Sequence, residues 1–354
     1  MRILIDISHP AHVHFFRNAI QLLIEKGHFV SVVSREKDIT IELLAQYGIR
    51  HKVLSAAPKQ KSIPAFTKEM LVHCTRLFKA ARQFKPDIML QIAGTFIAPV
   101  GKLIKCPTVA FYDTEFAMLS NTISYPLLSF VCTPDCYEGS TRKNQIKYPG
   151  YHELAYLHPD LFKPDPSVLS DNGLKKDEKF FIVRFVGWAA LHDYQEEGFD
   201  INHKMALIEK LSQYGKVLIS SEAPLPDRLR KYQSTVPYDK IHDIMAYASL
   251  VVGESATMAS EAAVMGVPSI FISTTPRGYT NEQESRYGLV RNFKPNQQAA
   301  CLETAESIAS LPIARLRKSY QTRQHKLLKE KVNTTHWMVD FIASQFSTSN
   351  KGIA

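Results

Sequence analysis

The sequence lacks several features that mark common classes of protein. Its five cysteines are odd in number and include no CxxC pair, so neither a disulfide framework nor a zinc site is indicated, and a reducing compartment is favoured. No run of about 18 unbroken apolar residues is present, which argues against a membrane-spanning helix. Low-complexity runs are short, and 45% hydrophobic with 22% charged residues is the composition of a folded protein rather than a disordered one.

The length and the charge set the next limits. A chain of 354 residues is long enough for two domains, each with its own core. The net charge of +9 favours anionic partners such as nucleotides or a phospholipid surface. No recognised nucleic-acid-binding module accompanies the basic residues, so nucleic acid is the poorest candidate. Because the first residues already read as a buried strand, we expect no signal peptide.

Short apolar runs alternate with longer amphipathic stretches, which predicts an α/β protein whose parallel sheets are covered on both faces. Repeated prolines between Tyr148 and Pro166 interrupt this rhythm and predict a linker. The predicted strands are 2–7, 29–34, 50–54, 87–91, 108–111, 130–133, 180–186, 216–220, 250–252 and 269–272. The predicted organisation is a Rossmann-like, doubly wound domain at 1–150, a linker at 151–168, a second such domain at 169–310 and C-terminal helices at 311–354. Two such domains facing each other would form a cleft.

Three histidines lie in the turn after the first predicted strand: His9, His12 and His14. A turn at this position lies at the ligand edge of the sheet, where His9 or His12 could act as a general base. The alternative is that Ser8 caps the following helix and the histidines pack against the sheet. A GxGxxG fingerprint is absent, so a nicotinamide or flavin site of that kind is not expected. No carboxylate or cysteine accompanies the trio at metal-ligand spacing.

The segment from Gly253 to Glu261 resembles a phosphate-binding turn. A predicted strand ends at Gly253, and the small residues Ser255, Ala256 and Thr257 open a helix whose N–H groups and dipole favour an anion. Glu261, about two turns later, could accept hydrogen bonds from the vicinal hydroxyls of a ribose. The alternative is an ordinary capped helix with a solvated glutamate.

Two further segments follow predicted strands. Gly187 and Trp188, after strand 180–186, could form an aromatic wall of the site, or else a packed tryptophan and a surface turn. Asp113 and Glu115, after strand 108–111, could serve as acid and base. The alternatives for that pair are a helix cap and a metal site, for which two carboxylates alone are a weak signal.

Residues 59–85 combine basic and apolar side chains at helical spacing. A basic helix with an exposed apolar stripe would bind an anionic bilayer surface. A helix that packs its apolar face on the core and exposes a basic back has the same pattern.

Three motifs carry a resemblance to a known family. The run from Tyr238 to Ala262 resembles the donor-binding half of GT-B glycosyltransferases, and it is similar in pattern to the lipid II-forming N-acetylglucosaminyl transferase and to UDP-GlcNAc 2-epimerases. Together, Ser8-His9-Pro10-Ala11-His12, Gly150-Tyr151-His152-Glu153 and Gly253–Ala262 resemble a prokaryotic family of uncharacterised GT-B-like proteins. This resemblance covers nearly the whole chain. The chain differs from the lipid II enzyme in lacking that enzyme's glycine-rich GGTGGH turn.

The resemblance implies that the C-terminal domain binds a nucleotide-sugar, with a UDP-sugar favoured. By position, Glu261 would bind the ribose, Ser255 and its neighbours the diphosphate, and Arg184 would help to balance the diphosphate charge. The residues implied in donor binding are Arg184, Gly187, Trp188, Ile241, His242, Gly253, Glu254, Ser255, Ala256, Thr257 and Glu261. Those implied in catalysis are His9, His12, Asp113 and Glu115.

The resemblance implies a metal-independent glycosyltransferase without a cofactor, which would act on a cell-surface polysaccharide or glycolipid acceptor. Two alternatives stay open: an enzyme like a UDP-sugar 2-epimerase, and a non-catalytic nucleotide-sugar-binding accessory protein. The expected location is the cytoplasm, with peripheral binding to the inner face of the cell membrane as an option.

Overall fold

The computed structural model describes residues 1–58, 62–115, 124–139, 143–175, 177–186, 198–222 and 224–346. The chain divides into two compact units. The first comprises Met1–Tyr156 with Val332–Ala354, and the second comprises Leu157–Lys331. Within the described parts of the chain, none of the helices combines the length and the hydropathy needed to cross a bilayer.

Each unit contains one parallel β-sheet. The strands of the first unit are β1 (Arg2–Ile7), β2 (Phe29–Glu36), β3 (His51–Ala56), β4 (Ile88–Ile92), β5 (Thr108–Phe111), β6 (Phe130–Pro134) and β7 (Gln145–Tyr148). Those of the second are β8 (Phe180–Phe185), β9 (Lys216–Ser221), β10 (Leu250–Gly253), β11 (Ser269–Ile272) and β12 (Val290–Phe293).

The α-helices lie mostly between successive strands, as parallel crossovers require. They are α1 (Pro10–Glu25), α2 (Thr40–Gln46), α3 (Ile63–Phe84), α4 (Ile97–Ile104), α5 (Ser167–Asp171), α6 (Ile201–Ser212), α7 (Ile241–Met245), α8 (Ala256–Val264), α9 (Gly278–Ser285), α10 (Gln298–Ser310), α11 (Ile313–Glu330) and α12 (Thr334–Phe346).

Both sheets are doubly wound. The strand order is β3-β2-β1-β4-β5-β6-β7 in the first unit and β12-β11-β10-β8-β9 in the second. The direction of winding therefore reverses between β1 and β4, and again between β8 and β10. These reversals are the switch points at which ligands of such sheets bind, outside the carboxyl ends of the strands. The predicted α/β class with two Rossmann-like units is confirmed.

Helices cover both faces of the first sheet. On one face, Leu77 of α3 and Ile97 of α4 belong to the same buried cluster as Leu4 and Met89 of the central strands. On the other face, the ring of Phe15 from α1 lies 5.2 Å from the ring of Phe111. Burial on both faces explains why these strands are continuous apolar runs.

The second sheet has an apolar core of its own. Ile182 of β8 and Val251 of β10 pack in one cluster with Ile244 of α7 and Ala262 of α8. Helix α10 contacts α6 and the strands β10 and β11, while α11 contacts α8. Both of these helices therefore belong to the second unit.

The last helix, α12, packs in the first unit rather than forming a tail with α11. The Trp337 ring stacks 4.7 Å from the Tyr148 ring, and the Thr334 and Thr335 hydroxyls donate hydrogen bonds to the carbonyls of Tyr151 and Ala155 at 2.7 and 2.8 Å. Residues 151–156, which the proline pattern predicts as linker, are buried in the same unit. The prolines alone do not reveal this, because the burial depends on contacts with the end of the chain.

Strands β7 and β12 and helix α9 are not among the predicted elements. The strand β12 reads Val-Arg-Asn-Phe and β7 reads Gln-Ile-Lys-Tyr, so each has only two apolar residues and no run long enough to signal a buried strand. Both lie at sheet edges, where one side of the strand has no neighbour and polar residues are common.

Replacing Trp337 tests the role of the last helix. We expect Trp337→Ala to lower the free energy of unfolding of the first unit by about 3 kcal/mol, because it removes the stacking on Tyr148 and leaves a cavity. His336→Ala, an exposed position on the same helix, should change it by less than about 0.5 kcal/mol. Urea unfolding followed by circular dichroism compares the two; equal effects would show that α12 does not stabilise the unit.

Candidate functional site

Polar segments follow the central strands at both switch points. In the first unit the histidine turn begins directly after β1, and Asp113 comes two residues after β5. In the second unit, the turn from Gly253 to Ser255 follows β10. These loops stand where parallel α/β sheets bind ligands, and each unit carries its own set of candidate site residues.

The histidine turn is held by hydrogen bonds to its own backbone. His9, rather than Ser8, caps α1, and its Nδ1 accepts from the Ala11 N–H at 3.2 Å. His12 lies in the first turn of the helix, where its Nδ1 accepts from the Ser8 N–H at 3.4 Å, and the two imidazole rings are 5.8 Å apart. Burial, followed by the positive charges of His9 and Lys37, holds the pKa of His12 well below its ordinary value. His12 is therefore neutral at neutral pH.

Asp113 pairs with His152, which is not among the catalytic residues predicted from the sequence. The Nδ1 of His152 lies 3.1 Å from Asp113 Oδ2, and the Thr114 hydroxyl donates to Asp113 Oδ1 at 3.2 Å. The imidazole packs against the Phe15 ring at 4.5 Å. Burial lowers the pKa of His152 against the opposing effect of the Asp113 charge. A charge on His152 also lowers the pKa of His12, and helix α1 contacts residues 152–155, so the pair lies beside the histidine turn.

Glu115, a predicted catalytic residue, and His14, the third histidine of the turn, both contact protein groups of the first unit. Glu115 Oε1 accepts from the Glu138 N–H at 3.4 Å, so this carboxylate is tied to the loop after β6. His14 is buried, and its ring contacts the rings of Tyr47 and Tyr156 at 5.8 and 5.4 Å. His14 therefore packs within the fold, whereas His9 and His12 remain partly exposed.

A buried polar network supports the carboxyl ends of β1, β2 and β3. His73 of α3 donates or accepts at both ring nitrogens, with Nε2 2.9 Å from Asp6 Oδ2 and Nδ1 2.8 Å from the Ser55 hydroxyl. Ser55 also donates to Glu69 at 3.3 Å, and Glu69 forms a two-pronged ion pair with Arg35. The sequence does not predict this network. Its one signal is the four-residue spacing of Glu69 and His73, which places both on one face of a helix.

The turn from Gly253 to Ser255 in the second unit requires its glycine. A Cβ at position 253 would lie 2.1 Å from the Arg184 carbonyl oxygen, so only glycine allows β10 to approach β8 this closely. Ser255 then caps α8, because its hydroxyl accepts from the Met258 N–H at 3.3 Å. Thr257 is partly exposed in the first helical turn. The turn thus presents backbone N–H groups and the positive end of a helix dipole.

Glu254 organises the chain around this turn. Its side chain is fully buried, and its two oxygens accept from the N–H groups of Val186 and Phe199, each at 2.8 Å. The Lys204 ammonium lies 3.3 Å from the same carboxylate. Glu254 therefore ties Val186 and Phe199 to the turn at Gly253. Gly187 and Trp188, the other predicted donor residues, lie outside the described residues.

The remaining predicted donor residues pair within the second unit. Arg184 donates to the Ser220 hydroxyl at 2.8 Å and to the Glu222 carboxylate. The Nε2 of His242 lies 2.8 Å from Glu261 Oε1, and both side chains are more than nine-tenths buried. Ile241 begins α7 and is partly exposed beside this pair. The spacing predicted Glu261 as a solvated or ligand-facing glutamate, whereas tertiary packing joins it to His242.

Comparison with known proteins gives the family. The sequence profile of a protein family of unknown function, DUF354, matches residues 1–281. The chain belongs to this family. No curated protein matches it.

Solved structures show the same fold at low sequence identity. A candidate UDP-N-acetylglucosamine 2-epimerase from Listeria monocytogenes is 10% identical, with a TM-score of 0.69 over 99% of this chain and 97% of that chain. The Neisseria meningitidis UDP-GlcNAc 2-epimerase bound to UDP-GlcNAc is 13% identical, with a TM-score of 0.60 over 93% and 100%. The Streptomyces sp. SF2575 glycosyltransferase SsfS6 with thymidine diphosphate is 12% identical, with a TM-score of 0.62 over 97% and 99%. The DUF354 chain therefore has a GT-B-like fold.

The role of Glu254 can be tested by an isosteric change. In Glu254→Gln, only one side-chain oxygen remains to accept from two backbone N–H groups, so we expect the second unit to lose about 1–3 kcal/mol of stability. Glu303→Gln, on the exposed face of α10, is the matched control and should change stability by less than about 0.5 kcal/mol. Urea unfolding measures both, and a loss no larger than the control's would contradict the organising role.

Proposed function

We propose that this DUF354 protein is a glycosyltransferase that binds a nucleotide-sugar, with a UDP-sugar favoured, through its second unit. The observation that supports this proposal best is the turn from Gly253 to Ser255 at the second switch point. Its glycine permits close backbone approach, its serine caps a helix, and its dipole favours a diphosphate. Structures of the same fold hold UDP-GlcNAc and thymidine diphosphate, which is consistent with this class of ligand.

The pair of His242 and Glu261 gives this site a place for the nucleoside. Glu261 lies on α8, near the turn proposed to bind the diphosphate, and its Oε1 lies 2.8 Å from His242 Nε2. A carboxylate fixed in this way is ready to accept hydrogen bonds from ribose hydroxyls, because its rotamer is already restricted. Ile241, at the start of α7, supplies apolar surface for a base.

The first unit supplies the chemistry in this proposal. The turn with His9 and His12 would bind the acceptor, and a titratable group of the first unit would remove the proton of its attacking hydroxyl. The carboxylates of Asp113 and Glu115, two residues apart in sequence after β5, favour the epimerase as a second candidate, because epimerisation requires an acid and a base near one sugar carbon. Turnover of a UDP-sugar without any acceptor would identify the epimerase, and binding without turnover would identify the accessory protein.

The proposed function predicts that the protein binds a nucleotide-sugar. Titration calorimetry with UDP-, GDP-, CMP- and TDP-sugars should give a saturable signal for at least one of them, with UDP-sugars expected. Glu261→Ala should weaken that affinity at least about tenfold, the loss of one hydrogen bond to a charged group. Glu303→Gln controls for the charge of the unit. An affinity for the wild-type ligand that Glu261→Ala leaves within about twofold would place the ribose elsewhere.

Helix α3 supports a second part of the proposal, in which the protein docks on an anionic membrane surface to reach a lipid-linked or polysaccharide acceptor. One face of the helix is buried through Leu77 and His73. Elsewhere on its surface, Ile63 is 74% exposed and Leu71 65% exposed, and Lys68 is exposed near them in sequence. Apolar side chains beside cations match a bilayer that carries anionic headgroups.

Vesicle flotation tests this docking. We expect the wild-type protein to float with phosphatidylglycerol-containing vesicles at low salt and to be released at high salt, because exposed charges are then screened. The double variant Ile63→Ser, Leu71→Ser should bind at least about tenfold more weakly, since it removes two apolar side chains from the contact. Ile201→Ser, an exposed apolar position of the second unit, is the control. Equal binding by all three proteins would exclude α3 as the docking element.

A further inference from the structure

The hydrogen bonds of the histidine turn determine which ring nitrogen carries the proton. A backbone N–H can only donate, so a ring nitrogen that it contacts must hold a lone pair. The Ser8 N–H points to His12 Nδ1, and the Ala11 N–H points to His9 Nδ1. In its neutral form each ring therefore carries its proton on Nε2. Both histidines present a hydrogen-bond donor, not a base, at that outer nitrogen.

Asp113, the partner of His152, favours the opposite tautomer, with the proton on Nδ1. An ionised carboxylate attracts an N–H and repels a nitrogen lone pair, so the 3.1 Å approach of His152 Nδ1 to Asp113 Oδ2 favours the proton on Nδ1. The lone pair is then on Nε2. The Thr114 hydroxyl holds the other oxygen of the carboxylate at 3.2 Å, and Phe15 packs on the imidazole ring, so the ring orientation is fixed.

The Nε2 atom of His152 has no hydrogen-bond partner among the described residues. The side chain is only 9% exposed, so this nitrogen is a buried acceptor without a donor, which costs free energy. A substrate hydroxyl that donates to it would recover that free energy. Of the three histidines that meet in this site, His152 is the one whose outer nitrogen is an acceptor.

We propose that His152, oriented by Asp113, is the proton acceptor of this site, and that His9 and His12 donate hydrogen bonds from Nε2 to the bound substrate. The inference rests on the proposed glycosyltransferase function. The acceptor hydroxyl transfers its proton to His152 Nε2 as its oxygen bonds to the anomeric carbon of the sugar. The bond from that carbon to the diphosphate breaks, and the diphosphate leaves with the electron pair. Asp113 stabilises the imidazolium that forms, as a carboxylate does in histidine-based catalysis generally.

The charges around these rings agree with the neutral states that this assignment requires. Burial lowers the pKa of His152, with the Asp113 charge acting in the opposite direction. Burial also lowers that of His12, and the charges of His9, Lys37, His152 and Arg35 lower it further. Both rings therefore remain neutral at pH 7.5, where the position of their single proton can be measured.

Long-range proton–nitrogen NMR correlation on ¹⁵N-labelled full-length protein tests the assignment without any substrate. Neutral histidines protonated on Nδ1 and on Nε2 give different cross-peak patterns. We expect His152 to be protonated on Nδ1, and His9 and His12 on Nε2. The single variants His9→Gln, His12→Gln and His152→Gln assign the peaks. A proton on Nε2 of His152, or on Nδ1 of both His9 and His12, would overturn the proposal.

Asp113→Asn gives a second measurement that remains available if the His152 variant does not fold. We expect it to change the proton position of His152, because an amide can donate to Nδ1. Asp160→Asn is the matched control, since Asp160 pairs with Nδ1 of His158 at 3.2 Å in the second unit, and it should leave His152 unchanged. A wild-type pattern in Asp113→Asn would show that Asp113 does not set the tautomer.

Measuring kcat together with donor affinity distinguishes failure of the proton-acceptor role from failure of the proposed glycosyltransferase function. With the UDP-sugar that binds, Asp113→Asn should keep donor affinity within about twofold and lower kcat at least about a hundredfold, the usual contribution of a general base. Asp113→Glu should recover part of that loss. Unchanged kcat with normal donor binding would contradict the proton-acceptor role alone. Failure of every nucleotide-sugar to bind would contradict the proposed function, while the NMR result would still decide the tautomers.

Discussion

Parallel pairing of one central strand with a neighbour on each side is the constraint on which both units depend. Strand β1 hydrogen-bonds to β2 and β4, and β8 to β9 and β10. Since every crossover must return over a face of the sheet, the loops at the carboxyl ends of these strands lead into helices. The histidine turn and the Gly253 turn stand at these ends, which is why sequence segments far apart in the chain serve the same kind of site.

Buried carboxylates anchor these loops through hydrogen bonds and ion pairs. Asp6 and Glu69 belong to one network with His73 and Arg35, which fixes α3 to the ends of three strands. Glu254 plays the corresponding part in the second unit. Removing one partner of such a group would leave an uncompensated buried charge, which is strongly destabilising. Burying these carboxylates costs free energy, and the contacts that offset this cost also hold the loops in place.

The fold alone does not separate a transferase from an epimerase, because both classes are found among the structural neighbours. The side chains of the site must distinguish the two reactions. In the assignment proposed above, the pair of Asp113 and His152 supplies a proton acceptor at the first switch point, while the histidine turn supplies donors. That division of roles suits removal of a hydroxyl proton next to an anionic substrate, which is the chemistry of glycosyl transfer to an alcohol.

Much of the architecture can be predicted from the sequence, because it depends on local patterns. Buried parallel strands are continuous apolar runs, so β1, β5 and β11 are predicted with the bounds that the structure shows, and Gly253 followed by Ser255 marks a capped helix. Edge strands such as β7 lack that signal.

Tertiary structure alone decides the relations between distant segments. It pairs Asp113 with His152 and His242 with Glu261, and it returns α12 to the first unit. The role of a histidine depends on which group contacts each ring nitrogen, and for His152 that group comes from another strand's end. Residue type and spacing therefore identify the groups that can titrate, whereas three-dimensional packing determines which of them donates and which accepts a proton.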